Sequence, residues 1–260
     1  MMTFKRLLSG LKVLIVTISI ALTPTTVLGS EEKAIGREIV SLYLDAAPLI
    51  DHEQTLQYVN TLGQYIAQFT PKVNPKRNWT FGVLKTDSIN AFAAPGGYVL
   101  ITLGLLNLLE TEDQLAFILA HEMSHVVKQH HLKVVQRQAQ AQRVIAKMQK
   151  NMKSQNRLFD ALSEVYKDFA TKGLDKTAEH EADLDGALLA TRAGFNSYAG
   201  QEVMFILAEF YQAGNKAELF YKTHPHPLTR IDMLTTHLST SLELSSSNSI
   251  PSSAFQRQKP

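Results

Sequence analysis

A helix with two histidines four residues apart constrains this chain more than any other feature of its sequence. Thr111 and Gln114 form a capping box, which predicts the start of that helix. His121 and His125 follow, and their side chains share one face because positions four apart are neighbours on an α-helix. The fold must therefore present both imidazoles to one point while it buries an apolar stripe formed by Leu115, Ile118, Leu119 and Val126.

Two imidazoles at this spacing can bind one metal ion at about 2.0 to 2.1 Å. Glu122 lies between them in sequence, and its direction suits removal of a proton from a metal-bound water better than ligation. The chain contains no cysteine, so His, Asp or Glu must hold any metal. The segment His121-Glu122-Met123-Ser124-His125 therefore predicts a metal site with His121 and His125 as ligands and Glu122 as the general base.

A later acidic segment offers a third ligand. Glu179 and Asp183 are four residues apart and share a helix face, whereas Glu181 points elsewhere. We expect Glu179 to bind the metal. We expect Asp183 to accept a hydrogen bond from a ligating histidine and so to fix its tautomer. The alternative reading of these residues is an ordinary charged helix face.

His131, six residues after His125, is a competing third ligand. Lys128 stands where a glycine would be needed to turn the chain, and nothing between Val126 and His131 is expected to stop the helix. His131 is then expected to point about 240° away from His125. The sequence therefore favours Glu179.

The remaining patterns predict an α+β fold that is predominantly helical, with a small sheet. With 45% hydrophobic and 19% charged residues, the composition is that of a globular protein. Helical spacing predicts helices at Glu31 to Ala47, His52 to Phe69, Asp175 to Ala193 and Ser197 to Gln212. Runs of β-type residues predict strands at Trp79 to Leu84 and at Ile89 to Ile101, the latter split by Pro95-Gly96-Gly97.

The N-terminus resembles a secretion signal. Lys5, Arg6 and Lys12 precede an apolar stretch at 13–22, and cleavage is expected after Gly29. An uncleaved membrane anchor is the alternative. Removal of this segment leaves 23 basic and 24 acidic residues, a balance that argues against a nucleic-acid partner.

We expect the following division of the chain. A signal peptide occupies 1–29, a catalytic domain 30–240 and a disordered tail 241–260. Residues 128–172 within the domain are rich in Gln, Lys and Arg. They form either a solvated helical pair, a lid over the site or a membrane-facing arm.

Four blocks together resemble family forty-eight of the metallopeptidases, which includes HtpX-like, Oma-type, BepA-like and LoiP-like proteases. Two of them are the histidine and acidic segments, and a third is the strand and turn Asn90 to Gly97. The fourth is Thr223-His224-Pro225 with Arg230 beyond it. The resemblance covers roughly 31–236. We expect neither the membrane spans of the HtpX-like members nor the tetratricopeptide domain of the BepA-like members.

The resemblance implies a zincin domain of the gluzincin-like kind, with its small sheet beside the active-site helix and one Zn²⁺ per chain. It implies that the strand containing Asn90, Ala91, Phe92 and Ala93 binds extended substrate by adding it to the sheet. His224 is implied to reach the active site, either as a reversible fourth zinc ligand or as a donor to the developing oxyanion. Arg230 is implied to pair with Asp183 or to orient substrate.

The resemblance also implies a function in the cell envelope. The expected activity is zinc-dependent hydrolysis of peptide bonds in unfolded or misfolded envelope proteins, in the periplasm. Peripheral association with the outer or inner membrane, or with its protein assembly machinery, is expected from the same source. The alternative is a periplasmic chaperone or assembly factor with a latent protease site.

Overall fold

The computed structural model describes residues 29–71, 78–137, 174, 176–212, 224, 227–241, 255 and 258–260. Residues 1–28 of the predicted signal peptide and residues 138–172 of the predicted arm lie outside this part of the chain. Gly29 is the first residue described. Among the described helices, none is both long enough and apolar enough to span a membrane.

Helices dominate the fold, and a small three-stranded sheet accompanies them, as predicted. In chain order the elements are α1 (Gly29–Ala46), α2 (Glu53–Ala67), β1 (Thr80–Leu84), β2 (Ala91–Ala94), β3 (Tyr98–Thr102), α3 (Leu103–Leu108), α4 (Glu112–Val127), α5 (Lys176–Arg192), α6 (Ala199–Gln212) and α7 (Pro227–Ser241). Residues 130–137 are also helical. The α+β, predominantly helical class is therefore confirmed, and the predicted helices and strands are present with ends shifted by a few residues.

The sheet has the strand order β1-β3-β2. β1 pairs with β3 in parallel, and β2 pairs with β3 in antiparallel register. Gly96 and Gly97 make the turn between β2 and β3 at φ values of 88° and 98°, a region that glycine enters without steric cost. β2 is an edge strand that packs against α4, so the sheet lies beside the helix with the two histidines, as expected.

The predicted capping box starts α4. The Thr111 hydroxyl accepts a hydrogen bond from the Gln114 backbone N–H at 3.3 Å, and the Gln114 amide oxygen accepts one from the Thr111 N–H at 3.4 Å. Leu115, Leu119 and Met123 are all at most 1% exposed. Almost every side chain of α4 is buried. The helix therefore lies inside the core, and its polar residues must find partners there.

α5 crosses α4 at very short range because of a glycine. A Cβ at Gly186 would lie 2.8 Å from both the Cα and the backbone N of His121. Only a residue without a side chain allows this approach. Glu179, Asp183 and Gly186 recur at helical spacing along one face of α5. The close crossing therefore brings the two carboxylates to the level of His121.

The expectation that α4 continues through His131 is wrong. α4 ends at Val127, and Gln129 adopts a left-handed conformation with φ of 57°. Such a conformation costs a non-glycine residue roughly 1 to 2 kcal/mol. Tertiary contacts favour this break, because Lys128 Nζ lies 2.8 Å from both Glu181 Oε1 and Asp185 Oδ2 on α5.

Five residues of the predicted disordered tail are described. Residue 241 ends α7, and three of the other four contact the rest of the fold, which differs from the expectation. Phe255 is 0% exposed and lies in the main hydrophobic cluster. The backbone oxygen of Gln258 accepts a hydrogen bond from Thr55 Oγ1 at 2.6 Å, and Lys259 Nζ donates to the backbone oxygen of Leu109. The serine-rich composition indicated disorder, but the buried Phe255 ring and these two hydrogen bonds hold this part of the segment to the core. Residues 242–254 and 256–257 lie outside the described part of the chain.

Phe255→Ala should lower the free energy of unfolding by about 3 to 5 kcal/mol, since it empties a fully buried aromatic site. Phe205→Ala is the matched control, because Phe205 is 54% exposed and its loss should cost far less. Denaturant unfolding of both variants checks this. Equal destabilisation by the two substitutions would contradict the packed position of Phe255.

Candidate metal centre

Four side chains that can ligate a metal converge beside the α4–α5 crossing. His121 and His125 come from α4, Glu179 from the first turn of α5, and His224 precedes α7. One potential ligand atom from each lies within 4.8 Å of the others, and all four residues are buried. The structure therefore brings together the three ligands predicted from the sequence and the fourth that the resemblance implied.

The distances between these atoms fit a tetrahedral ion. Bonds of about 2.0 to 2.1 Å place the ligand atoms of an ideal tetrahedral site roughly 3.3 to 3.4 Å apart. His125 Nε2 lies 3.1 Å from His121 Nε2 and 3.4 Å from Glu179 Oε1. His121 Nε2 lies 3.7 Å from Glu179 Oε2. Glu179 Oε1 is buried and accepts no hydrogen bond from any described residue, so it is an acceptor whose natural partner would be a cation.

Glu179 and His224 form a tight pair. His224 Nδ1 lies 2.6 Å from Glu179 Oε2. Burial alone would raise the pKa of Glu179, but the neighbouring His224 and the guanidinium of Arg230 outweigh burial and lower this pKa. Burial alone would lower the pKa of His224, and the Glu179 carboxylate reverses this and raises it. Glu179 is thus held ionised, as a metal ligand must be.

His121 is oriented by Asp183, and Asp183 is held by Arg230. Asp183 Oδ1 lies 3.0 Å from His121 Nδ1, and Arg230 donates to both oxygens of Asp183. Burial would raise the pKa of Asp183, but the Arg230 guanidinium holds it well below its usual range. An ionised Asp183 accepts a hydrogen bond from the Nδ1–H of His121, which leaves the Nε2 lone pair directed towards the other ligands. The structure thus contains the Asp183 contact with a histidine and the Arg230 pair that were expected.

His125 has a different partner, which the sequence reasoning missed. Its Nδ1 lies 2.9 Å from Nδ1 of His130, and Nε2 of His130 lies 3.1 Å from Glu181 Oε2. Burial lowers the pKa of both histidines, although the Glu181 carboxylate opposes this at His130. No local pattern could identify His130, because its position depends on the break at Gln129.

Glu122 is 2% exposed, and its carboxyl is close enough to His121, His224 and Glu179 to interact with them electrostatically. Burial raises its pKa, while the nearby His121 and His224 act in the opposite direction. A carboxyl group with a raised pKa is a better proton acceptor than one in water. The environment therefore suits the proton transfer expected of Glu122.

His131, the rejected ligand, lies near the centre without joining it. Its ring centroid is 5.4 Å from that of His125, but it is not among the four converging donors. Burial lowers its pKa to about 3. Although the helix break was not foreseen, the structure agrees with the preference for Glu179 over His131.

The predicted substrate strand is β2 with the residue before it. Asn90 is fully buried, and its amide oxygen accepts a hydrogen bond from the Ala91 N–H at 2.9 Å. Ala91 and Ala93 are buried, and Phe92 packs against Tyr43 with ring centroids 4.2 Å apart. Within the described residues β2 pairs only with β3. Its side chains therefore anchor the strand, and its second backbone edge has no strand partner in that part of the chain.

Known proteins resemble this chain over most of its length. The profile of peptidase family M48 matches residues 53–238. The chain is 30% identical over 209 residues to the beta-barrel assembly-enhancing protease of Yersinia pestis, which covers 77% of this chain and 42% of that protein. Identity to the protein of the same name from Escherichia coli K12 is 26% over 210 residues, with coverage of 77% and 42%.

A third relative comes from a eukaryote. The chain is 28% identical over 196 residues to the mitochondrial metalloendopeptidase OMA1 of Schizosaccharomyces pombe, covering 75% of this chain and 56% of that protein. The chain thus spans less than two thirds of the length of each of these relatives. The family match contains all four converging donors and Glu122. This chain therefore belongs to peptidase family M48 and carries the metallopeptidase domain of that family.

Proposed function

We propose that this protein is a zinc-dependent endopeptidase that hydrolyses unfolded or misfolded proteins of the cell envelope. The observation that carries the proposal is the buried set of His121, His125 and Glu179 with Glu122 beside it. Two imidazoles and one carboxylate, without any thiolate, form a donor set that suits Zn²⁺ in a catalytic site. His224 is a candidate fourth ligand, since its ring also reaches the set.

Each residue has a distinct part in the proposed reaction. Zinc bound to this donor set would supply a Lewis acid that polarises the scissile carbonyl and acidifies water. The Glu122 carboxylate accepts the proton of the attacking water and later delivers it to the leaving amine. Asp183 holds His121 in the ligating tautomer, and Arg230 keeps Asp183 ionised. The alternative role for His224 is donation of a hydrogen bond to the developing oxyanion.

An extended, unfolded segment is the substrate form that the site would accept. The proposal relies on β2, whose second edge has no strand partner in the described part of the chain. A peptide can add to such an edge through backbone hydrogen bonds, with little dependence on its sequence. Relatives named beta-barrel assembly-enhancing proteases, together with the predicted signal peptide, support a periplasmic location. They also support peripheral association with outer-membrane protein assembly.

One contact favours a second candidate function. His224 is held 2.6 Å from Glu179 by a buried hydrogen bond, and a third imidazole at the centre would compete with water for the ion. The protein could then act as a periplasmic chaperone or assembly factor with a latent protease site. Rescue of a deletion strain by Glu122→Gln as efficiently as by the wild type would favour this candidate.

His121→Ala and Glu179→Ala should each lose most of the zinc that the wild-type chain is expected to hold at about one ion per chain, because each removes a ligand. His180→Ala is the matched control: it changes the neighbour of Glu179 that lies outside the donor set. Elemental analysis after dialysis measures the metal, and thermal unfolding in chelator checks that each variant folds. Full zinc occupancy in either ligand variant would contradict the assignment.

Glu122→Gln should keep its zinc and lose casein hydrolysis by roughly 10²- to 10⁴-fold, since the amide cannot accept the proton. Wild-type hydrolysis should itself stop when a chelator removes the metal and return when zinc is restored. Zinc content measured on the same preparations separates loss of the base from loss of the site. An active Glu122→Gln enzyme would refute the role of this residue.

A further inference from the structure

Within the described part of the chain, His130 is a buried histidine outside the donor set that contacts a predicted ligand on one side and a carboxylate on the other. It is 5% exposed. One ring nitrogen, Nδ1, lies 2.9 Å from His125 Nδ1, and the other, Nε2, lies 3.1 Å from Glu181 Oε2. The imidazole thus bridges a residue of the metal centre and a carboxylate on α5.

The backbone break after α4 makes this bridge possible. In an uninterrupted helix, residue 130 would lie about 140° around the axis from His125 and would face away from it. Gln129 instead takes φ of 57°, and a new helical segment begins at residue 130. The turn therefore folds His130 back against the side of the His125 ring that faces away from the other ligands.

The direction of every hydrogen bond in the bridge is fixed from its outer end. Lys128 can only donate, and its Nζ lies 2.8 Å from Glu181 Oε1. The ionised Glu181 can only accept, so His130 Nε2 carries a hydrogen and donates it. A neutral imidazole carries only one ring hydrogen, so His130 Nδ1 is then an acceptor.

The acceptor role of His130 Nδ1 determines which nitrogen of His125 carries the hydrogen. Because His130 Nδ1 only accepts, His125 Nδ1 must donate to it, and the lone pair of this neutral ring is left on Nε2. His125 Nε2 is the atom that faces Glu179 Oε1 and His121 Nε2, at 3.4 Å and 3.1 Å. The bridge therefore leaves the lone pair of His125 Nε2 directed at the place where a cation would bind.

We infer that His130 is a positioning residue of the metal centre: together with Glu181 it holds His125 in the tautomer and orientation that bind the ion. This inference rests on the proposed zinc site. Asp183 orients His121 by a direct contact. For His125 the same role falls to Glu181, with the His130 imidazole between the ligand and the carboxylate. Loss of such a partner typically weakens metal binding roughly 10- to 100-fold.

Two substitutions at His130 separate hydrogen bonding from packing. In His130→Asn the amide oxygen occupies nearly the position of Nδ1 and can still accept from His125. In His130→Leu a side chain of similar bulk offers no acceptor. Zinc affinity of the purified full-length chain, measured by competition with a chromophoric chelator, is the readout. Thermal unfolding of the metal-free variants checks that both fold.

We expect His130→Leu to raise the zinc dissociation constant roughly 10- to 100-fold, and His130→Asn to remain within a few fold of the wild type. Glu181→Ala should shift affinity in the same direction as His130→Leu. Equal zinc affinity in the wild type and His130→Leu would overturn the inference while leaving the zinc site intact. Equal weakening by Asn and Leu would also overturn it, because ring packing would then explain the loss. A wild-type chain that binds no zinc would overturn the proposed site itself.

Discussion

The contact on which the site depends is the approach of two helix backbones at Gly186. A single Cβ there would lie 2.8 Å from the Cα of His121, so α5 can lie this close to α4 only without one. Glu179 and Asp183 lie on the same face of α5 as Gly186. Their carboxylates therefore reach opposite ends of the His121 ring, 3.7 Å from Nε2 and 3.0 Å from Nδ1. Gly186 thus positions both Glu179, the expected ligand, and Asp183, which orients His121.

The α4–α5 crossing brings three buried carboxylates together, and their negative charge must be balanced. Glu122, Glu179 and Asp183 are all at most 2% exposed, and Arg230 is the buried guanidinium that faces them. Isolated buried carboxylates are costly unless they are paired. Arg230 donates to both oxygens of Asp183 but approaches Glu179 no closer than 3.9 Å. His224 contacts Glu179 Oε2, whereas Glu179 Oε1 lies 3.4 Å from His125 Nε2 and accepts no hydrogen bond from any described residue. A divalent cation at this place would balance the charge of that carboxylate.

Local signals in the sequence identified the elements that carry the site, and tertiary contacts decided the rest. The capping box at Thr111 and the four-residue spacing of the histidines are helix properties, so they could be read directly. The break at Gln129 could not, because glutamine has no preference for a left-handed backbone and the pairing of Lys128 with α5 is long-range. His130 was missed for that reason. Phe255 was missed because its surroundings have the composition of a disordered tail.

The fourth donor is attached to the centre in a different way from the other three. His121, His125 and Glu179 lie on α4 and α5, whose close packing fixes their separation. His224 lies before α7, and α7 is tied to the centre by the buried contacts of Arg230 with Asp183. Arg230 is six residues beyond His224, so the same pair that keeps Asp183 ionised also anchors the segment that bears His224. The orientation of His121 and the approach of His224 therefore depend on one ion pair, which couples the inner ligands to the last helix of the M48 domain.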